Sequence, residues 1–181
     1  MPEAAGRSCE DCLRQRPAFK GARSVFVYEA AAREAIHALK YKGVSALATA
    51  MARAMVEALS EWAPPVETIV PVPLTGHRRR LRGYNQSQLL AREVARFTGL
   101  PLELRAIARR RSGAPQVSQP DRESRRRNVD DAFAPGSKRI EGGVLLIDDV
   151  MTTGATLNAC ARVLVSAGAG PVFAVTFARD S

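Results

Sequence analysis

The sequence predicts an α/β domain built on a twisted, mostly parallel sheet flanked by helices. Three observations carry this. Short β-rich runs alternate with helical segments in the order strand, helix, strand, which implies parallel pairing through crossover helices. The run Gly143 to Ile147 (GVLLI) is continuously apolar and reads as a strand. Between residues 44 and 62 an apolar side chain recurs every fourth position, at Leu47, Met51, Met55 and Leu59, which is the stripe of a helix laid against a core.

The elements follow in order. Arg23 to Glu29 (RSVFVYE) alternates and predicts a strand. Ala30 to Lys42 predicts a helix with Ile36 and Leu39 on one face and Gly43 as its stop. Val44 to Trp62 is the second helix, ended by Pro64-Pro65. Glu67 to Val72 is a short β-rich run, and Pro73 to Tyr84 reads as a loop. Asn85 can cap the next helix, with Gln88 three residues on as in a capping box; that helix reaches about Phe97 and stops at Gly99. Leu102 to Ile107 is a weak strand. Arg109 to Arg127, with Pro115 and Pro120, reads as a long flexible lid loop. Ala155 to Ala167 is a helix stopped by Gly168, and Pro171 to Phe177 is the last strand.

The 181 residues, 46% hydrophobic and 25% charged, suffice for one packed core. Residues 1–22 form an N-terminal Cys-containing segment, and 23–181 the main domain. No apolar stretch is long enough to span a membrane, and the first residues lack the apolar run of a secretion signal, so the cytoplasm is the expected compartment.

The net charge of +9 is unevenly spread. Residues 73–127 hold 14 Arg, no Lys and 4 acids, a balance of +10, so the rest of the chain sums to −1. An anionic partner is implied: phosphate, pyrophosphate or nucleic acid. Three cysteines, an odd number, argue against a disulfide framework. Cys9 and Cys12 form a CxxC pair, half of the four ligands that a structural zinc site takes; Cys160 lies in an apolar helix and reads as core.

The most informative segment runs from Val144 through Asp148-Asp149-Val150-Met151-Thr152-Thr153-Gly154-Ala155-Thr156. An apolar strand leads into two carboxylates, then a small-residue loop, then a helix. Backbone N–H groups at a helix start, joined by Thr hydroxyls, suit a phosphate monoester. Two carboxylates suit vicinal sugar hydroxyls, with room for a divalent cation. The Gly-x4-Gly-Lys-Ser/Thr pattern of a P-loop is absent.

This run closely resembles the phosphoribosyl-pyrophosphate (PRPP) loop of type I phosphoribosyltransferases. Within that superfamily the chain resembles the ComF family. The closer likeness lies in Ala38-Leu39-Lys40-Tyr41-Lys42-Gly43, Val70-Pro71-Val72-Pro73-Leu74, Arg82-Gly83-Tyr84-Asn85-Gln86, and Arg125-Arg126-Arg127-Asn128-Val129 with Ala132-Phe133. The resemblance implies a type I phosphoribosyltransferase fold with a flexible lid. It implies catalytic Asp148 and Asp149 on the ribose hydroxyls, and Thr152, Thr153, Gly154, Ala155 and Thr156 around the 5′-phosphate. It further implies a pyrophosphate loop with Leu74, Thr75, Arg78, Arg79 and Arg82, and a lid with Arg110, Gln116 and Arg126. Mg²⁺ would accompany PRPP. Zinc would belong to an N-terminal four-Cys ribbon, of which only Cys9 and Cys12 stand here.

Two functional classes follow. One is an enzyme that binds Mg-PRPP or ribose 5-phosphate and transfers phosphoribosyl to an acceptor. The other is a competence protein that handles single-stranded DNA, with a competence helicase as a further partner and the PRPP pocket not catalytic. The Asp-Asp-to-Thr run favours the first and the Arg excess the second. Lys40 and Lys42 either face the site or complement the helix dipole, and His77 is either a pyrophosphate contact or an ordinary loop residue.

Overall fold

The computed structural model describes residues 16–41, 46–110 and 131–180. Strand β1 (Gly21–Val27) leads to helices α1 (Ala30–Tyr41) and α2 (Leu47–Trp62), then β2 (Thr68–Pro71), α3 (Gly76–Arg82) and α4 (Gln86–Thr98). Strands β3 (Ile107–Arg109) and β4 (Phe133–Pro135) precede β5 (Val144–Met151), α5 (Ala155–Ser166) and β6 (Val172–Arg179).

Four strands form one parallel sheet in the order β1-β6-β5-β2; β3 and β4 pair antiparallel as a separate ribbon. The two central strands have no wet face, and their sequence shows why. Along β5, Leu145 and Ile147 pack with Met51, Met55, Leu90 and Val94 of α2 and α4. The alternate residues Val144 and Leu146 pack with Leu157, Cys160 and Leu164 of α5 and with Phe133 and Ile107 of the ribbon. Each fully buried side chain of this size contributes about 1.5–3 kcal/mol, so covering both faces fixes β5 at the centre.

The chain leaves β2 for α4 on one face and leaves β5 for α5 on the other. The carboxyl ends of these adjacent strands therefore open a crevice at a topological switch point, where open α/β sheets bind ligands.

The expected α/β class with helices on both faces is the observed one, and several boundaries differ. The segment Pro73 to Tyr84, expected as a loop, contains the seven-residue helix α3. Its Thr75 side chain accepts the Arg78 N–H at 3.2 Å, and Arg79, Arg80 and Arg82 oppose the negative end of the dipole. No residue of α3 is buried, so no apolar period announced it. The weak strand expected at Leu102 to Ile107 is displaced: Leu102 makes one isolated bridge to Ile69, and pairing begins at Ile107. Strand β5 continues four residues past Ile147, carrying both Asp residues on the sheet itself.

The boundary expected between residues 22 and 23 also moves. Phe19 is buried in the core under α5, Ala18 N–H donates to Asn158 Oδ1 at 2.7 Å, and Lys20 N–H donates to the Val172 carbonyl. Packing of the main domain thus begins by Ala18. Among the described residues, no helix is long and apolar enough to cross a membrane.

Candidate functional site

A cleft of about 320 Å³ opens at the carboxyl ends of β2 and β5. Val72, Pro73 and Leu74 form its β2 side, and Asp148, Asp149, Val150, Thr152 and Thr156 its β5 and α5 side. Four cations line it, Lys40, Arg78, Arg82 and Arg109, with a third carboxylate, Asp180. The site is thus an anion-attracting wall facing a carboxylate floor.

Both floor carboxylates are buried, Asp148 at 9% and Asp149 at 4% exposure. Asp148 Oδ1 accepts the Ser87 hydroxyl at 2.7 Å and the Asp149 N–H at 2.9 Å. Burial first, and the neighbouring Asp149 charge second, push the Asp148 carboxyl up to about 7. Asp149 Oδ2 lies 2.5 Å from Lys40 Nζ, yet it is a buried oxygen that accepts no hydrogen bond. The contact has ion-pair distance without hydrogen-bond alignment. The two charges are paired in the buried floor of the cleft.

Arg109 ends β3 at the cleft wall. Its guanidinium carbon lies 4.8 Å from the Phe133 ring centroid, and one terminal nitrogen donates weakly to the Pro73 carbonyl at 3.4 Å. Its Nε is buried and unpartnered, and burial followed by the Arg78 charge lowers its pKa, partly offset by Cys160 and Asp148. A partly desolvated cation with an unpartnered Nε suits an anionic ligand.

Two stretches from opposite ends of this region interlock. Arg82 donates to the Tyr41 hydroxyl at 3.0 Å and to Gln86 Oε1 at 3.1 Å. The Tyr84 hydroxyl donates to the Leu39 carbonyl. Asn85 donates to the Val72 carbonyl at 3.0 Å and accepts the Ser87 N–H, capping α4. The cap bonds Ser87 where the capping-box spacing had pointed to Gln88. The segments 38–41 and 82–86 therefore act as one junction holding α1, α3, α4 and β2 around the cleft.

Asp148, Asp149, Thr152, Thr156, Leu74, Arg78 and Arg82 come together in the cleft. Thr153, Gly154 and Ala155 form the turn into α5 without lining the cleft: Gly154 is the N-cap at φ 73°, and Thr153 Oγ1 accepts the Ala155 N–H at 3.4 Å. Thr75 serves as the cap of α3, and Arg79 is exposed outside the cleft lining. Arg110 is exposed, its N–H donating to the Ala132 carbonyl. Gln116 and Arg126, with most of the expected lid, lie outside the described residues, as do Cys9, Cys12 and Lys42. Lys40 faces the site through Asp149, His77 lines a neighbouring groove, and Cys160 is core.

Sequence reasoning missed Ser87, Arg109, Tyr28 and Asp180. Ser87 was findable, since it follows the Asn85 cap within the first turn of a helix entering the site. Arg109 sat at the edge of an undifferentiated basic run. Among the described residues, no cluster of three or more His, Cys, Asp or Glu side chains could hold a metal. A pair of carboxylates lining the cleft suits a cation that arrives with substrate oxygens, the usual habit of Mg²⁺.

No family model matches the chain. Curated relatives do. The DNA utilization protein YhgH of Salmonella typhi is 33% identical over 174 residues, covering 91% of this chain and 74% of the relative. Competence protein F of Haemophilus influenzae is 36% identical over 105 residues, covering 56% of this chain and 45% of the relative. Competence protein ComFC of Bacillus subtilis is 29% identical over 188 residues, covering 99% and 75%. Among solved structures, a purine phosphoribosyltransferase from Pyrococcus horikoshii aligns at 17% identity over 73% of this chain and 81% of its own, with a TM-score of 0.43. The allosteric regulatory enzyme of purine biosynthesis aligns at 21% identity over 72% of this chain, which spans 26% of that larger chain, with a TM-score of 0.47. With YhgH above 30% identity across three quarters of its length, the chain belongs to the ComF family.

Proposed function

We propose that the cleft binds PRPP with Mg²⁺ and transfers its phosphoribosyl group to an acceptor. The observation that carries this reading is the pair of buried carboxylates at the end of β5, set between the turn into α5 and a wall of three guanidiniums and one ammonium. Asp148 and Asp149 would accept the ribose hydroxyls. Thr152, Thr156 and the first turn of α5 would hold the 5′-phosphate. Arg78, Arg82 and Arg109 would pair with pyrophosphate oxygens. Mg²⁺ would be held by Asp149 and the pyrophosphate, neutralising the charge of the leaving group.

In the reaction an acceptor lone pair forms a bond to ribose C1 while the C1–O bond to pyrophosphate breaks, and pyrophosphate leaves with that electron pair. Positive charge develops on the sugar ring, so carboxylates beneath it lower the barrier. Mixing the protein with Mg-PRPP and single nucleobases should release pyrophosphate. If PRPP binds and no acceptor tried yields pyrophosphate, the pocket is a binding site without transfer; if PRPP does not bind at millimolar concentration, the reading fails.

A second reading is favoured by the +10 balance of residues 73–127 and by relatives named for competence and DNA utilization. In it the protein contacts single-stranded DNA through this basic surface, and the two activities share one protein.

A further inference from the structure

Beside the cleft, between the end of α1 and α3, lies a second groove of about 560 Å³. Lys40, Arg78 and Arg82 line both, so the cationic wall runs unbroken from one into the other. The groove differs in its remaining surface, where Tyr41, Leu81 and Tyr84 present apolar and aromatic faces. Tyr41 is 63% exposed and Leu81 73%. Single exposed apolar residues are ordinary on a protein surface, but two in one groove flanked by guanidiniums form a patterned face.

Tyr41 is also held in place. Arg82 donates to its hydroxyl at 3.0 Å and sets its guanidinium carbon 4.8 Å from the ring centroid, while the His37 ring lies 4.9 Å away. An aromatic ring fixed before binding loses little freedom when a ligand stacks on it. Helix α3 buries none of its residues, so it displays Arg78, Leu81 and Arg82 to this groove and Arg79 and Arg80 to solvent beyond it.

The matching ligand carries negative charge and a flat π-face at short spacing. We propose that this groove seats a nucleotide of a single-stranded nucleic acid, its base against Tyr41 and its phosphodiester on Arg78 and Arg82, with the strand directed along the shared wall toward the PRPP cleft. A single strand fits better than a duplex because only an unpaired base exposes a face to stack. It fits better than a free nucleotide because Arg79 and Arg80 extend the cationic track past the groove. The inference rests on the DNA-contact reading, which it deepens, and does not require phosphoribosyl transfer.

Fluorescence anisotropy with a labelled dodecathymidylate tests it, alongside a hairpin duplex, free thymidine monophosphate and an acidic Glu/Tyr peptide. The oligonucleotide should bind tightest. Tyr41→Ala should weaken it roughly 5- to 150-fold, the range for losing one stacked base, and Tyr41→Trp should restore it. Calorimetry with ribose 5-phosphate should give the same affinity for both variants, which shows that they are folded and separates this site from the cleft. Oligonucleotide affinity that ignores Tyr41, a duplex bound as tightly as the single strand, or an acidic peptide bound more tightly than either would overturn the assignment. Loss of ribose 5-phosphate binding in every form, with Tyr41-dependent oligonucleotide binding retained, would sink the PRPP reading and leave this one standing.

Discussion

Lys40 Nζ lies 2.5 Å from Asp149 Oδ2, joining the last turn of α1 to the carboxyl end of β5. The Asp149 side chain is only 5% exposed, so the ammonium is its near neighbour in place of water. Removing one partner of such a pair leaves an uncompensated buried charge, which costs more than the pair itself contributes.

Lys40→Met should therefore destabilise the ligand-free protein by about 3 kcal/mol, the low end for a broken buried pair because Lys40 remains partly solvated. The double variant Lys40→Met/Asp149→Asn should recover much of that loss. Urea unfolding of the four proteins in a double-mutant cycle gives the coupling. Additive losses would mean that the two charges do not depend on one another.

Asp148 makes stability depend on pH. Its folded-state carboxyl is pushed from 3.8 up to about 7, so between these values the native state holds a proton that the unfolded state has released. Stability from this group is fully present below about pH 4, falls as pH rises, and is gone above about pH 7. The difference in unfolding free energy between wild type and Asp148→Asn should shift in favour of the variant by a few kcal/mol across that window. A difference that stays flat from pH 4 to pH 8 would show that Asp148 is ionised throughout.

Gly154 and Gly99 separate backbone strain alone from strain at the start of α5, where the N–H groups would face the phosphate. Both have φ near 73°, and a Cβ would meet nothing within 4 Å at Gly99 and only Met151 Sδ and Phe19 at 3.8 and 3.9 Å at Gly154. Either Gly→Ala change should cost about 1–2 kcal/mol of stability through the left-handed conformation alone. Only Gly154→Ala should weaken ribose 5-phosphate, by about tenfold or more. Equal affinities would move the phosphate away from the start of α5.

Arg109→Met should behave unlike an ordinary loss of charge. The side chain keeps its packing on Phe133 and sheds a partly desolvated guanidinium, so thermal stability should hold or rise. Affinity for pyrophosphate should drop by about tenfold. Unchanged pyrophosphate binding would leave Arg109 a structural residue.

The site was legible in the sequence where chemistry and local pattern coincide. Asp148, Asp149 and the Thr-Gly turn announce themselves because a continuous apolar strand is followed at once by carboxylates and a helix start. The apolar strand β5 itself was legible for the same reason. Helix α3 was not, because its stability rests on Thr75 and its own Arg residues and on no buried face. Arg109, Ser87 and the exposed Tyr41 were not either, because each draws its meaning from neighbours distant in sequence: Phe133 for Arg109, Asp148 for Ser87 and Arg82 for Tyr41. The stretch 82–86 was recognised as a pattern, but its physical purpose, tying Tyr41, Leu39 and Val72 together, exists only in three dimensions.

The central claim is that the β5 carboxylates hold the ribose of Mg-PRPP. Titration calorimetry of Mg-PRPP into wild type and Asp149→Asn tests it most directly, with circular dichroism confirming that both are folded. The account predicts saturable one-to-one binding that ribose 5-phosphate displaces, and an affinity at least tenfold weaker in the variant, the loss expected when a buried acceptor of sugar hydroxyls is removed. Equal affinity in the two proteins, or no binding by the wild type at millimolar Mg-PRPP, would contradict it.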